Sequence, residues 1–138
     1  MMLNDITRAV IVPDAARQDF LPILFGPSHL IVAENAVYAW MERLSPLDYR
    51  GGCWGFYEHE SKPLFLAPRS RKRFRITGDV TCFQGEVSAE AAGIIATMFA
   101  FSHLSFQFQS DRLVDGYERL YAYSADHPEA SEIFQAID

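Results

Sequence analysis

Glu58, Glu60 and Glu86, with Cys53 and Cys82, are the residues of this chain whose types first suggest chemistry. Clustered carboxylates hold Mg²⁺ for phosphodiester chemistry, and these three glutamates would serve if the strands that carry them were neighbours. Strand alternation sets Glu86 on one face with Gln84 and Cys82, and Glu58 on one face with Trp54 and Phe56, so the pattern does not by itself bring them together. A zinc site needs cysteine or histidine at close spacing. His29, His59, His103 and His127 are scattered, and HESKP at His59–Pro63 lacks the second histidine of a zincin helix. Both cysteines stand in strand-like runs beside bulky apolar neighbours and are expected to be buried, inert thiols. There is no GxSxG elbow, no GxxxxGK[ST] loop and no GxGxxG fingerprint. The expectation is a protein that is not an enzyme and takes no metal or cofactor.

Binding chemistry has more to work with. Between Ser61 and Gly78 lie six basic residues and no acid: Lys62, Arg69, Arg71, Lys72, Arg73 and Arg75. Alternation turns Phe74 and Ile76 inward and Arg73, Arg75 and Thr77 outward. The run, with Arg71, Lys72, Arg73 and Arg75 at its centre, reads either as a patch for phosphates or an acidic partner, or as a solvated sheet face. Tyr38, Tyr49 and Trp54 surround the Arg50-Gly51-Gly52 turn. Aromatics around an arginine make an interface hot spot or a stacking platform for single-stranded bases. The other reading puts Trp54 in the core with the tyrosines at its edge. The segment from Asp111 to Asp138 holds seven acids against Arg112 and Arg119. DNA mimicry by charge would need a row approaching one charge per ~1.7 Å, and eighteen acids spread over the chain and offset by twelve bases do not form one.

The elements that must position these residues form one α+β pattern. A short β segment over Arg8–Val12 precedes a short helix opened by Pro13, and FLPILFG makes a tight helical turn ended by Gly26. An amphipathic helix over Ala33–Leu44 turns Val37, Trp40, Met41 and Leu44 inward, with Glu34, Tyr38 and Glu42 opposite. Strands follow over Cys53–Glu58, Leu64–Pro68, Arg73–Thr77 and Thr81–Val87, joined by HESKP, a basic loop and the Gly78-Asp79 turn. Such short connections favour an antiparallel meander of about four strands. Ser88–Phe101 is capped by serine and then apolar on every face, which marks a buried central helix too short to span a bilayer. Two more helices cover Asp111–Ala125, with Leu113, Tyr117, Leu120 and Tyr121 inward, and Pro128–Ile137, with Ile133, Phe134 and Ile137 inward. No repeat or linker divides the chain, so residues 1–138 are expected to form a single domain.

Apolar residues are 49% of the chain and charged residues 22%, which separates it from disordered sequences. The N-terminus lacks the basic start and apolar core of a signal peptide, and a cytoplasmic location without membrane attachment is expected. Four segments carry a resemblance: YAWMERLSPLDYRGGCWGFYE from Tyr38 to Glu58, FLPILFG, GEVSAEAAGI from Gly85 to Ile94, and HPEASEIFQAID from His127 to Asp138. In order and spacing, over roughly Val12–Asp138, the chain resembles the antirestriction proteins of the KlcA/ArdB type. The resemblance implies a small cytoplasmic, non-enzymatic inhibitor, encoded on plasmids, phage or other mobile genetic elements, that protects incoming DNA from type I restriction-modification systems. Its implied partner is the type I restriction complex or an associated host factor. Residue chemistry alone offers the alternative of a small nucleic-acid-binding module using the basic hairpin 69–75.

Overall fold

The computed structural model describes residues 8–78 and 82–138. Strand β1 (Val10–Ile11) leads into a 3-10 helix (Asp14–Asp19), then α1 (Phe20–Phe25) and α2 (Leu30–Leu44). Strands β2 (Trp54–His59), β3 (Lys62–Pro68), β4 (Phe74–Thr77) and β5 (Gln84–Val87) follow, and α3 (Ala89–Phe108), α4 (Asp111–Ala125) and α5 (Ala130–Ile137) complete the α+β fold.

Helix α3 is the centre of the core. Its first residues, Ala89 and Ala91 to Phe101, are all buried apart from Glu90. Ser88 caps it by accepting from the Ala91 amide at 3.1 Å. The helix runs seven residues beyond the apolar stretch, because SHLSFQF continues with an ordinary amphipathic spacing and stops only at Gln109, which takes a left-handed conformation (φ 51°). Among the described residues α3 is the one single helix long and apolar enough to cross a membrane, and 67% of that stretch is buried inside the protein. It crosses β3 backbone to backbone at Gly93, where any Cβ would run into the Cα of Ala67 and the carbonyl of Leu66.

The four main strands are antiparallel neighbours in pairs, but they do not form one meander. β1, β2 and β3 make a three-stranded sheet, while β4 and β5 pair only with each other. The reason lies at the outer edge of β3. There Thr97 of α3 donates its hydroxyl to the Leu66 carbonyl at 3.2 Å and accepts from the Leu66 amide at 3.3 Å, so a helix side chain occupies the backbone groups that a further strand would need. The β2–β3 turn is the two-residue kind, Glu60 and Ser61 both having positive φ (52° and 65°). A register shift beside Glu58 sets it opposite Pro63, which cannot donate to the ladder.

Several sequence expectations are corrected in detail. Cys53 and Cys82 are exposed, not buried, because β2 and β5 begin after them and leave both outside the sheets. Tyr121 is 41% exposed. The inward face of α4 is Leu113, Gly116, Leu120, Tyr123 and Ser124, and Tyr117 is half-buried on its flank. Trp40 is also only half-buried, stacked on Phe99 with ring centroids 4.6 Å apart and covered by the Arg43 guanidinium. In α5 Ile133 and Ala136 are buried, while Phe134 and Ile137 are half-buried. The expected start at Thr81 and the Asp79 position of the turn lie outside the described residues; the neighbouring Gly78 amide donates to the Phe83 carbonyl at 2.6 Å.

Candidate interaction cleft

The end of α2 and the start of β2 are joined by residues 45–53, and this connection forms the rim of an open cleft of about 650 Å³. Asp14 and Arg17 of the 3-10 helix, Tyr38 and Glu42 of α2, and Arg69 beyond β3 complete its wall with Tyr49, Arg50, Gly51, Gly52, Cys53 and Trp54. Trp54 is the anchor. It is 6% exposed, donates its indole Nε1–H to the Tyr49 hydroxyl at 3.0 Å, and receives Tyr38 and Tyr49 edge-on at centroid distances of 4.9 and 6.0 Å. The Tyr38 hydroxyl donates to Glu34 at 2.6 Å. Burial, and then that bond to a carboxylate, hold the Tyr38 phenol well above its ordinary pKa, so it is a donor at all physiological pH.

Arg17 locks the same corner from the other side. Its Nη2 donates to the Trp54 carbonyl at 2.9 Å, and its guanidinium lies 3.8 Å from the centre of the Phe56 ring. Asp14 sits between Arg17 (3.4 Å) and Arg69 (3.8 Å). Arg50, by contrast, uses Nη1 alone, donating to the carbonyls of Pro46 (3.0 Å) and Tyr49 (3.1 Å). Gly51 and Gly52 have φ of 82° and 112°, a conformation that favours glycine, and an added Cβ on either would meet nothing within 4 Å.

Apart from Arg69, the basic run does not enter this cleft. Arg75 forks onto Asp48, with Nε and Nη2 donating at 2.9 and 2.8 Å, and its amide donates to the same carboxylate. These bonds hold the Asp48 carboxyl well below the usual carboxylate range. Lys72 donates to the Asp48 carbonyl at 2.8 Å. Arg73 donates to the Glu86 side chain and carbonyl, both at 3.0 Å, and lies 3.9 Å from Glu129. Arg71 lines a separate groove with Tyr57, Ser70 and Glu90. Arg73 and Arg75 therefore direct their charge to the protein's own acids, and Arg75 and Lys72 help to brace residues 45–50 at Asp48.

Sequence spacing brought together Tyr38, Tyr49, Arg50 and Trp54, and the structure unites them in one cleft. It places Arg71, Lys72, Arg73 and Arg75 elsewhere. Asp14, Arg17, Glu42 and Arg69 were missed because they arrive from three separate elements and carry no local motif. The carboxylates considered for metal do not converge: Glu58 is on β2, Glu60 in the turn and Glu86 on β5 in the other sheet. Among the described residues no group of three or more His, Cys, Asp or Glu is placed to hold a metal ion.

One other polar cluster combines acid and base. Glu90 accepts from His127 Nε2 at 2.8 Å and from Arg8 at 2.9 Å. Burial would raise the Glu90 pKa, but the bonds from His127 and Arg8 outweigh it and the net shift is downward. His127, its side chain 2% exposed, accepts the Glu129 amide on Nδ1, so its proton sits on Nε2. With both ring nitrogens engaged, the imidazole has no free lone pair to act as a general base. Glu129 in turn accepts from the Ser88 amide and hydroxyl, at 2.9 and 2.5 Å. This network fastens the start of α5 to the start of α3.

Comparison with known proteins defines the class. The model of the antirestriction protein family matches residues 47–138, from the cleft rim to the C-terminus. Over the whole length, the fold is that of a solved structure of the KlcA and ArdB proteins, with a TM-score of 0.86, 38% identity, and coverage of 100% of this chain and 99% of that one. Those proteins are described as having a novel fold and antirestriction activity against type I DNA restriction systems in vivo but not in vitro. Two Escherichia coli proteins named antirestriction protein KlcA are each 42% identical, covering 94% and 92% of this chain and 94% and 90% of their own length. The uncharacterized protein YafX of E. coli K12 is 36% identical over 92% of this chain. The chain belongs to the antirestriction protein family.

Proposed function

We propose that this chain protects incoming plasmid, phage or other mobile DNA by inhibiting type I restriction-modification systems in the cytoplasm, without catalysis and without imitating DNA by charge. One observation carries the reading: full-length likeness in sequence and fold to proteins with that activity in vivo. Residues 1–138 act as a single antirestriction domain. The cleft, with Tyr38, Tyr49, Arg50 and Trp54, is the contact surface for a protein partner, which is either the restriction complex or a host factor associated with it. A target present only in cells would account for activity in vivo but not in vitro in the solved relative. Among the described residues Glu58, Glu60 and Glu86 lie on separate elements and both ring nitrogens of His127 are engaged, which supports an inhibitor over a hydrolase. The inward bonding of Glu90 and Glu129 and the pairing of Asp48 and Glu86 with arginines argue against a phosphate-like row of acids.

The alternative, nucleic-acid binding by the hairpin, is weakened by the carboxylate partners of Arg73 and Arg75. The test is the plating efficiency of unmodified phage on a bacterium with an active type I system, with and without this protein. Plating should rise with the protein. Unchanged plating, with the protein shown to be soluble and abundant, would overturn the reading.

A further inference from the structure

Resting on that reading, we infer that the partner presents an acidic polypeptide segment to the cleft, and that a carboxylate of that segment seats on the Arg50 guanidinium and the backbone of Gly51-Gly52. The rim carries three guanidiniums, Arg17, Arg50 and Arg69, against two carboxylates, Asp14 and Glu42, on a chain whose net charge is −6. Two of the guanidiniums already face Asp14. Arg50 faces none: only Nη1 is engaged, by backbone carbonyls, and among the described residues its Nε and Nη2 have no partner. The amides of Gly51 and Gly52 likewise make no bond within the described residues, and the space beside both α-carbons is open.

A guanidinium edge and adjacent amide donors form a receptor for a planar oxyanion, and Arg recognises carboxylate through two parallel bonds. The fixed wall of Trp54, Tyr38 and Tyr49 keeps this rim in place, which lowers the ordering cost of binding. Carboxylate is favoured over nucleic-acid phosphate by charge. A duplex offers one negative charge per ~1.7 Å, whereas the cleft offers one guanidinium free of carboxylate, on a chain whose net charge of −6 repels a polyanion. A peptide that spaces its acids among neutral residues meets a smaller penalty.

The test is a titration of the isotopically labelled full-length protein with a short peptide of glutamates separated by glycine and serine, the same peptide with lysine in place of glutamate, and a short DNA duplex, read by amide and indole NMR. The spaced-glutamate peptide should cause saturable shifts centred on Gly51, Gly52 and the Trp54 indole. Arg50→Gln should weaken them by about tenfold or more, the value of a charge-assisted bond, and Arg50→Lys by less. No saturable shift with the spaced-glutamate peptide, equal shifts with the lysine peptide, or tighter binding of the duplex at this rim would overturn the inference. In cells, Arg50→Glu should lose protection while its melting is unchanged. If the wild type protects and Arg50→Glu protects equally, the acidic-partner inference fails and the proposed function stands; if the wild type does not protect, the proposed function itself fails.

Discussion

Trp54 shows how a residue beside the proposed interface is held in place by its neighbours. The bond from its indole to Tyr49 is made at a nearly closed site, so removing the acceptor leaves a buried donor unpaired. Tyr49→Phe should therefore cost about 1–3 kcal/mol, and Trp54→Ala, which empties a large buried volume, about 3–5 kcal/mol. Urea unfolding checks both, and equal stability of either variant to wild type would contradict the described packing. Asp48 makes a pH-dependent contribution of predictable sign. Its folded pKa is depressed by Arg75, so its stabilisation is fully present above the ordinary aspartate value of about 3.9 and is lost as pH falls from there through the lower folded value. The stability advantage of wild type over Asp48→Asn should be constant from neutral pH to about pH 4 and shrink below it. An advantage that grows on acidification would refute the Asp48–Arg75 tie.

Helix α3 is the element on which the others depend. Ile95 is fully buried within it, and Ile95→Asp would bury a carboxylate without a partner, at a cost of several kcal/mol, enough to unfold a marginal domain. Cooperative melting of soluble Ile95→Asp near the wild-type temperature would show that the helix is not central. Gly93→Ala should also destabilise, because its methyl must displace the backbone of β3. The central helix was legible in the sequence because an apolar run of that length has no wet face to offer. The division of the strands into two sheets was not, since it depends on Thr97, a single polar residue within that run, reaching the edge of β3 through space. The exposure of Cys53 and Cys82 was missed for a related reason: alternation predicts faces only inside a strand, and both residues stop just short of one. Half of the cleft was legible, because Tyr49, Arg50 and Trp54 are near neighbours in the chain and Tyr38 projects from an amphipathic helix. Arg17 and Arg69 are brought to it by the fold.

At the scale of the whole molecule, the question is where the charge is directed. Arg73 and Arg75 of the basic hairpin are paired with Glu86 and Asp48, whereas among the described residues Arg50 at the cleft rim faces no carboxylate. Changing Arg71, Lys72, Arg73 and Arg75 together to Gln should leave the fold intact, because these four side chains lie on the surface and isolated surface charges contribute little to stability. Protection should persist. Loss of protection together with loss of salt-sensitive duplex binding would move the function to the hairpin and to DNA. An inhibitor aimed at a protein partner of restriction need not disturb methylation, whereas a blocker of DNA access must disturb both. The most direct measurement therefore follows restriction and modification in the same cells, by plating unmodified phage on a type I host expressing this protein and assaying methylation of the progeny phage DNA. Plating should rise with methylation close to that of control cells. Unchanged plating, or methylation falling in parallel with restriction, would contradict inhibition directed at a protein partner of restriction.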